Sequence, residues 1–417
     1  KASSPLSAEA AAFLDAGARR EARARSRRRL TFTGAFVTLA LVAAGGVSAA
    51  IVTRAQAEQI RLAAGNYGTF RLVLQPFEWE SDGGTRAVDA AGLPKLDWVL
   101  GPAPVGWRAL GDARPYAEGV VQRVDLGVAD GGHQWEVRSP AAPAVLHVRG
   151  RGSPDCSPSL LKLQALPGYE ESRHGVHTLE VPVPTCAAAL RDMVSVPQGP
   201  YASPRDDDRA IEVGPFSIDA HETTVEQFAV FERLAGLTGA ELVPLPAVLR
   251  TLEPRVPVQG VNAAQADAWC RYLGKRLPTA DEWLKAARGG LELSAGGKNP
   301  SPTRLTPWGG DGTQRRANLS GTGGDDRFER AAPVGAMSGD VSPYGVYDLG
   351  GNVSEWTSTV STQPETKGLV LLLGASWDNP EQRQWLTVHN TRPALGVHFD
   401  IGVRCVSPAP SAWAPAR

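Results

Sequence analysis

Residues 30–52 carry no charged side chain, although they lie between two polar segments. A bilayer core takes about 20 apolar residues of helix. The stretch therefore predicts a single transmembrane helix over residues 30–53. It is too long for the apolar core of a cleaved signal peptide, so a retained anchor is expected. Arg19, Arg20, Arg23, Arg25, Arg27, Arg28 and Arg29 precede it, and only Arg54 follows closely. This asymmetry places residues 1–29 in the cytoplasm and the rest of the chain outside. Residues 7–29 read as an Ala- and Arg-rich helix with Ser7 as N-cap.

Beyond the anchor the period changes. Phe70, Leu72 and Leu74 alternate with other residues, as do Leu146 and Val148, and Val181 and Val183 among prolines. Trp135 to Arg138 also reads as strand. Short alternating runs separated by Gly, Pro and Asp predict a small β-sandwich or barrel over residues 55–190. From 191 to 408 Gly-rich turns dominate, with a helix expected over 263–273. The Pro- and Ala-rich end, 409–417, is expected to be a disordered tail.

The composition narrows the function classes. A formal net charge of -1 over 417 residues gives no electrostatic case for nucleic-acid binding. With 42% hydrophobic residues the chain supports two or three domains with real cores. It opens on Lys1, so a longer parent chain is expected.

Five blocks of the C-terminal half stand in a fixed order. They are Gly274-Lys275-Arg276-Leu277-Pro278-Thr279 running on to Trp283, Ala286-Ala287-Arg288-Gly289-Gly290, Gly350-Gly351-Asn352-Val353-Ser354-Glu355-Trp356-Thr357, Gly374-Ala375-Ser376-Trp377, and Ile401-Gly402-Val403-Arg404-Cys405. Together they resemble the sulfatase-modifying-factor family, whose best-known member is the formylglycine-generating enzyme. The resemblance covers residues 191–408. Met193 to Gly199 looks like the entry strand, and Ile218 to Thr224 like a strand leading into a helix. It implies an α+β, C-type-lectin-like fold with two helices and a small twisted antiparallel sheet.

Four cysteines, Cys156, Cys186, Cys270 and Cys405, suggest two disulfides on an oxidising side of the membrane. Domain membership pairs the first two with each other, and the resemblance implies a bond between Cys270 and Cys405. It also implies two structural calcium sites. One set is Asp348, the carbonyls of Gly351 and Val353, and the Glu355 carboxylate. The other is Asn318, the carbonyl of Leu319, Asp326 and the carbonyl of Phe328. Calcium suits such oxygen donors, although Asp348 and Glu355 read equally as hydrogen-bond partners of turn amides.

The family's active enzymes hold copper(I) with two cysteines five residues apart, just after the block that reads Gly374-Ala375-Ser376 here. Asn379 and Gln384 occupy those positions. Amides cannot replace thiolates for a soft ion, so copper is not expected and formylglycine generation is not expected either. The same segment carries Trp377, Asp378, Asn379, Arg383, Trp385, His389, Asn390 and Arg392, residue types enriched in recognition sites. They are the candidate ligand-binding surface, for a protein, peptide or glycan. The competing reading makes the tryptophans core residues.

The sequence thus predicts a single-pass protein of a bacterial inner membrane, with its N-terminus cytoplasmic and its other domains periplasmic or extracellular. Its family domain is expected to act as a binding module, with a sensory role as one form of it, and to work with a cytoplasmic signalling partner or a preceding N-terminal domain. An oxidase with an altered centre and a structural assembly factor are the alternatives.

Overall fold

The computed structural model describes residues 67–408, apart from 81–83, 90–96, 102–121, 130–131, 141–143, 153–155, 164–175, 235–252, 295–296, 311–315, 321–326 and 381–385. The arginine-rich helix expected at 7–29, the transmembrane helix expected at 30–53 and the tail at 409–417 lie outside the described residues. Among the described residues no helix is long and apolar enough to cross a membrane.

The first part of the described chain is built on one long strand, β1 (Tyr67–Trp79). It is followed by β2 (Thr85–Ala87), β3 (Asp97–Gly101), β4 (Gln122–Ala129), β5 (Gly132–Pro140), β6 (Ala144–Arg149), β7 (Ser159–Leu163) and β8 (Val176–Pro184). β1 pairs antiparallel with β5 (Leu72 opposite Trp135) and parallel with β8 (Leu72 opposite Leu179). β2 and β4 complete this five-stranded sheet, and β3, β6 and β7 form a second sheet. Trp98 of β3 meets Trp135 of β5 edge to face, ring centroids 6.0 Å apart, which joins the two sheets through their inner faces. The period-two pattern therefore ends in a sandwich. Val73 is buried along with Leu72 and Leu74, although Arg71 on the same face as Val73 is exposed.

The C-terminal region is mainly β, with short helices. A one-turn helix, α1 (Cys186–Leu190), leads into β9 (Met193–Val196), β10 (Gly199–Ser203), β11 (Arg209–Val213) and β12 (Phe216–Asp219). Next come α2 (Val225–Glu232), α3 (Ala263–Tyr272) and α4 (Ala280–Arg288), then the small hairpin β13 (Glu292–Ser294) and β14 (Gly297–Lys298). β15 (Ser354–Val360), β16 (Val370–Leu373), β17 (Asn390–Arg392), β18 (Ile401–Gly402) and β19 (Val406–Pro408) complete the fold. The resemblance led to one antiparallel sheet. The structure has β19, β12 and β9 in one sheet and β17, β16, β15 and β18 in another, with β18 parallel to β15.

The helices start where their sequences say they should. Thr224 and Gln227, Asn262 and Gln265, and Thr279 and Glu282 each form a reciprocal capping box, satisfying amides that the first turn leaves open. α3 carries the sandwich on its C-terminal end. The Tyr272 hydroxyl donates to the Pro182 carbonyl at 2.7 Å, and Ser159 Oγ donates to the Tyr272 carbonyl at 2.5 Å. The fully buried Arg151 guanidinium donates to the carbonyls of Pro184, Ser157 and Leu273. A single buried cluster consequently runs from Phe70 and Trp135 of the sandwich through Trp269 and Tyr272 to Trp356 and Cys405. Both expected disulfides are present, Cys156–Cys186 and Cys270–Cys405, and the second ties α3 to the segment between β18 and β19.

Candidate functional site

The Gly350–Trp356 block forms a polar core inside the C-terminal region. A Cβ on Gly350 would lie 2.6 Å from the Trp308 ring, and one on Gly351 would lie 2.5 Å from the Asn318 carbonyl oxygen, so both positions need glycine for close approach. Asn352 and Asp348 hold left-handed backbone at φ 70° and 59°, which Asn and Asp tolerate better than most residues. The turn aims the Asn352 amide inward. Its Oδ1 accepts from the Ala332 amide at 2.8 Å, and its Nδ2 donates to Glu222 Oε2 at 2.8 Å. Three residues on, Glu355 accepts from Trp283 Nε1 at 2.6 Å and from Arg404 Nη2 at 2.7 Å. Arg404 also donates to the carbonyls of Asp219 and Tyr347, so one guanidinium links three separate segments.

This core holds more acid than base. Glu222, Asp340, Asp348 and Glu355 are all buried, and the buried Arg404 guanidinium pairs directly with Glu355 alone. Burial first, then the Asp348 charge, pushes both Glu222 and Asp340 well above the usual carboxylate range. Burial pushes Asp348 up to about 6, against the amide of Gly335 that donates to its Oδ2. In one of the two calcium donor sets, the Glu355 carboxylate accepts from Arg404 and Trp283. Asn318 is different. Its Nδ2 donates to the Arg330 carbonyl and to Asn352 Oδ1, which fixes the amide orientation, and its buried Oδ1 has no hydrogen-bond partner among the described residues. An orphaned buried oxygen beside surplus negative charge fits a hard cation. Leu319 follows it directly in sequence and Phe328 stands further on, while Asp326 lies outside the described residues. Glu222 and Asp340 escaped the sequence reading, since nothing local marks a carboxylate that packs against a turn over a hundred residues away in one case and ten in the other.

All four cysteines are consumed by the two disulfides. At one of the positions where the family's active enzymes carry cysteine, Asn379 serves a turn: its Oδ1 accepts from the Ser376 amide at 3.3 Å and its carbonyl accepts from the Ser320 amide at 2.9 Å. Gln384, at the other, lies outside the described residues.

The candidate ligand surface divides. Trp377 is half-buried and donates from Nε1 to the buried Gln259 Oε1 at 2.9 Å, so it leans on the core beside the exposed Asp378. Arg383 and Trp385 lie outside the described residues. His389, Asn390 and Arg392 come together along β17, where they line one wall of an open cavity of about 330 Å³. The opposite wall is the turn from Val360 to Thr366, and Arg205 reaches in from the loop between β10 and β11. Burial first, and the Arg205 charge second, hold the His389 imidazole below its ordinary value. Arg205 is nearly two hundred residues distant in sequence, and only the fold reveals its part in this cavity.

Comparison with known proteins agrees with this architecture. Residues 178–409 match the sulfatase-modifying factor enzyme 1-like domain. The inactive C-alpha-formylglycine-generating enzyme 2 of Mus musculus is 34% identical over 165 residues, which are 37% of this chain and 50% of that protein. The chain thus spans half the length of this curated relative. The formylglycine-generating enzyme of Thermomonospora curvata is 31% identical over 222 residues, covering 40% of this chain and 70% of that protein. Among solved structures, PvdO from Pseudomonas aeruginosa matches over 53% of this chain and 97% of its own, with 22% identity and a TM-score of 0.39. With the motif blocks, the capped helices and the Cys270–Cys405 bond in place, the chain belongs to the sulfatase-modifying-factor family.

Proposed function

We propose that this chain is a membrane-anchored, extracytoplasmic binding module that keeps the family scaffold without its thiolate chemistry. The observation that carries the reading is the fate of the cysteines: all four sulfurs are bound in disulfides, and Asn379 spends its side chain on a turn amide. A thiolate pair is what holds copper(I), a soft ion. The mouse relative bears the name of an inactive enzyme, while the T. curvata relative bears that of an active one. Family membership is therefore compatible with either state, and the bonded cysteines support the non-catalytic one.

In this reading the anchor is residues 30–53, calcium is a structural cation held around Asn318, and the open cavity along β17 takes the ligand. A sensory role, with the arginine-rich segment 1–29 contacting a cytoplasmic partner, follows from the same topology. The test uses the full chain in detergent with calcium, copper(I) and oxygen, and a peptide bearing the sulfatase Cys-x-Pro-x-Arg motif. Mass spectrometry is expected to return the peptide unchanged. Conversion of its cysteine to formylglycine would refute the non-catalytic reading.

A further inference from the structure

The cavity along β17 has a chemical character that goes beyond its being open. Among the described residues, three basic side chains line it, Arg205, His389 and Arg392, and no carboxylate does. Arg392 spends one Nη1 hydrogen on the Thr391 carbonyl at 3.0 Å and has no acidic partner among the described residues. Among the described residues Arg205 has a loose one, Asp281 at 3.8 Å, whose Oδ1 also accepts from the Tyr201 hydroxyl at 2.7 Å. Two guanidinium groups held at one cavity, one loosely paired and one without an acidic partner among the described residues, leave positive charge for a ligand to neutralise.

The rest of the lining is neutral and rich in hydrogen-bonding groups. Ser361, Gln363 and Thr366 stand on the turn between β15 and β16, and Asn390 and Thr391 stand on β17. The turn is fixed from within: Ser361 Oγ and Thr366 Oγ1 share a hydrogen bond at 2.7 Å, and the Gln363 amide donates to Ser361 Oγ at 3.3 Å. β17 is fixed by pairing to β16, where Thr391 lies opposite Leu371 and Arg392 opposite Val370. A preformed site of this kind loses little on ordering when a ligand arrives. Its volume of about 330 Å³ stands at the lower end of small-molecule sites.

We propose that this cavity binds an acidic saccharide, its carboxylate or sulfate held by Arg205 and Arg392 and its hydroxyls by the amide and hydroxyl lining. The inference rests on the binding-module reading and names its ligand class. Guanidinium groups supply paired donors for a planar oxyanion. Ser, Thr, Asn and Gln both donate and accept, as polyhydroxylated rings require. An inorganic anion would use the first group of residues and not the second.

The experiment is calorimetric titration of the full chain in detergent with glucuronate, glucose and sodium sulfate, repeated on Arg392→Gln and Arg205→Gln. Circular dichroism of each variant confirms that it remains folded. The expected result is saturable glucuronate binding at least tenfold tighter than either glucose or sulfate, weakened about tenfold by each substitution. Equal affinity for glucuronate and sulfate overturns the saccharide assignment, and equal affinity for glucuronate and glucose overturns the oxyanion contact. Absence of glucuronate binding, or binding untouched in both folded variants, removes the cavity as the site. None of these failures bears on the non-catalytic reading, which stands or falls with the cysteine-peptide assay.

Discussion

Arg404 and Glu355 form an ion pair in which neither side chain is exposed, with Nη2 and Oε1 2.7 Å apart. The pair sits where β18 lies parallel to β15, and Arg404 extends it to the carbonyls of Asp219 and Tyr347. Removing one member of a buried pair leaves the other charge without compensation, which costs about 3–5 kcal/mol. Arg404→Met is expected to reach at least that loss, because Glu222, Asp340 and Asp348 also lose their nearest cation. Urea unfolding followed by tryptophan fluorescence measures it. A loss below about 1 kcal/mol, the range of an exposed pair, would mean that the pair is not the anchor of this core.

The two disulfides close loops of very different length. Cys270 and Cys405 are 135 residues apart in sequence, and Cys156 and Cys186 are 30 apart. In the chain-entropy account this makes the first bond worth about 5 kcal/mol and the second about 4 kcal/mol. Cys270→Ala with Cys405→Ala should therefore lower the urea midpoint more than Cys156→Ala with Cys186→Ala. The reverse order would show that the shorter bond restrains something that loop length does not capture, such as the junction around Arg151.

The sequence blocks carry this scaffold because they are local. Each capping box is a pair three residues apart, and the left-handed turn at Asp348 and Asn352 belongs to a short Gly-rich run. Alternation in Phe70, Leu72 and Leu74 likewise marks a strand that its neighbours bury on that face. What stayed hidden depends on distant partners. Glu222 looks like any acid after a strand until the fold sets it under the Val353 amide. Trp377 and His389 look alike as members of one aromatic and polar segment. One leans on Gln259 in the core, and the other faces Arg205 across a cavity. A second sheet strand running parallel, as β18 does, also leaves no trace in period-two patterning, because pairing direction is set by tertiary topology.

Lys285 offers a pH test away from the acidic core. Its side chain is buried, its ammonium donates to the carbonyls of Pro197, Gly199 and Val213, and no carboxylate pairs with it directly. Burial pushes it down to about 8 from an ordinary value of 10.5. Between those values the unfolded chain binds more protons than the folded one, so stability rises with pH across that window. Below about 8 the full penalty of a buried charge is present in the folded state. The wild-type chain should thus gain stability relative to Lys285→Met between pH 8 and 10, measured as urea midpoints at several pH values. Parallel pH curves for the two proteins would place the folded-state ammonium at its ordinary value, held charged by the three carbonyls.

Asn318 gives the clearest test of the structural cation. The amide is fixed by donation to Arg330 and Asn352, and its Oδ1 has no hydrogen-bond partner among the described residues although it is buried. Leaving such an acceptor unsatisfied costs about 1–3 kcal/mol, which a calcium ion would recover. Ligand binding to the folded state at a hundredfold excess over Kd stabilises it by about 2.7 kcal/mol. The full chain stripped with EGTA is therefore expected to melt several degrees lower than the chain in millimolar calcium. Magnesium should not replace calcium, because it demands a tighter octahedral shell and gives up water reluctantly. Asn318→Ala removes two donated hydrogen bonds as well as the free oxygen, so its melting temperature will fall in either condition. The decisive quantity is the calcium-dependent increment, expected to shrink in the variant. An increment of the same size in both proteins would assign the cation to another donor set, and no increment in the wild type would leave Asn318 Oδ1 to an ordered water.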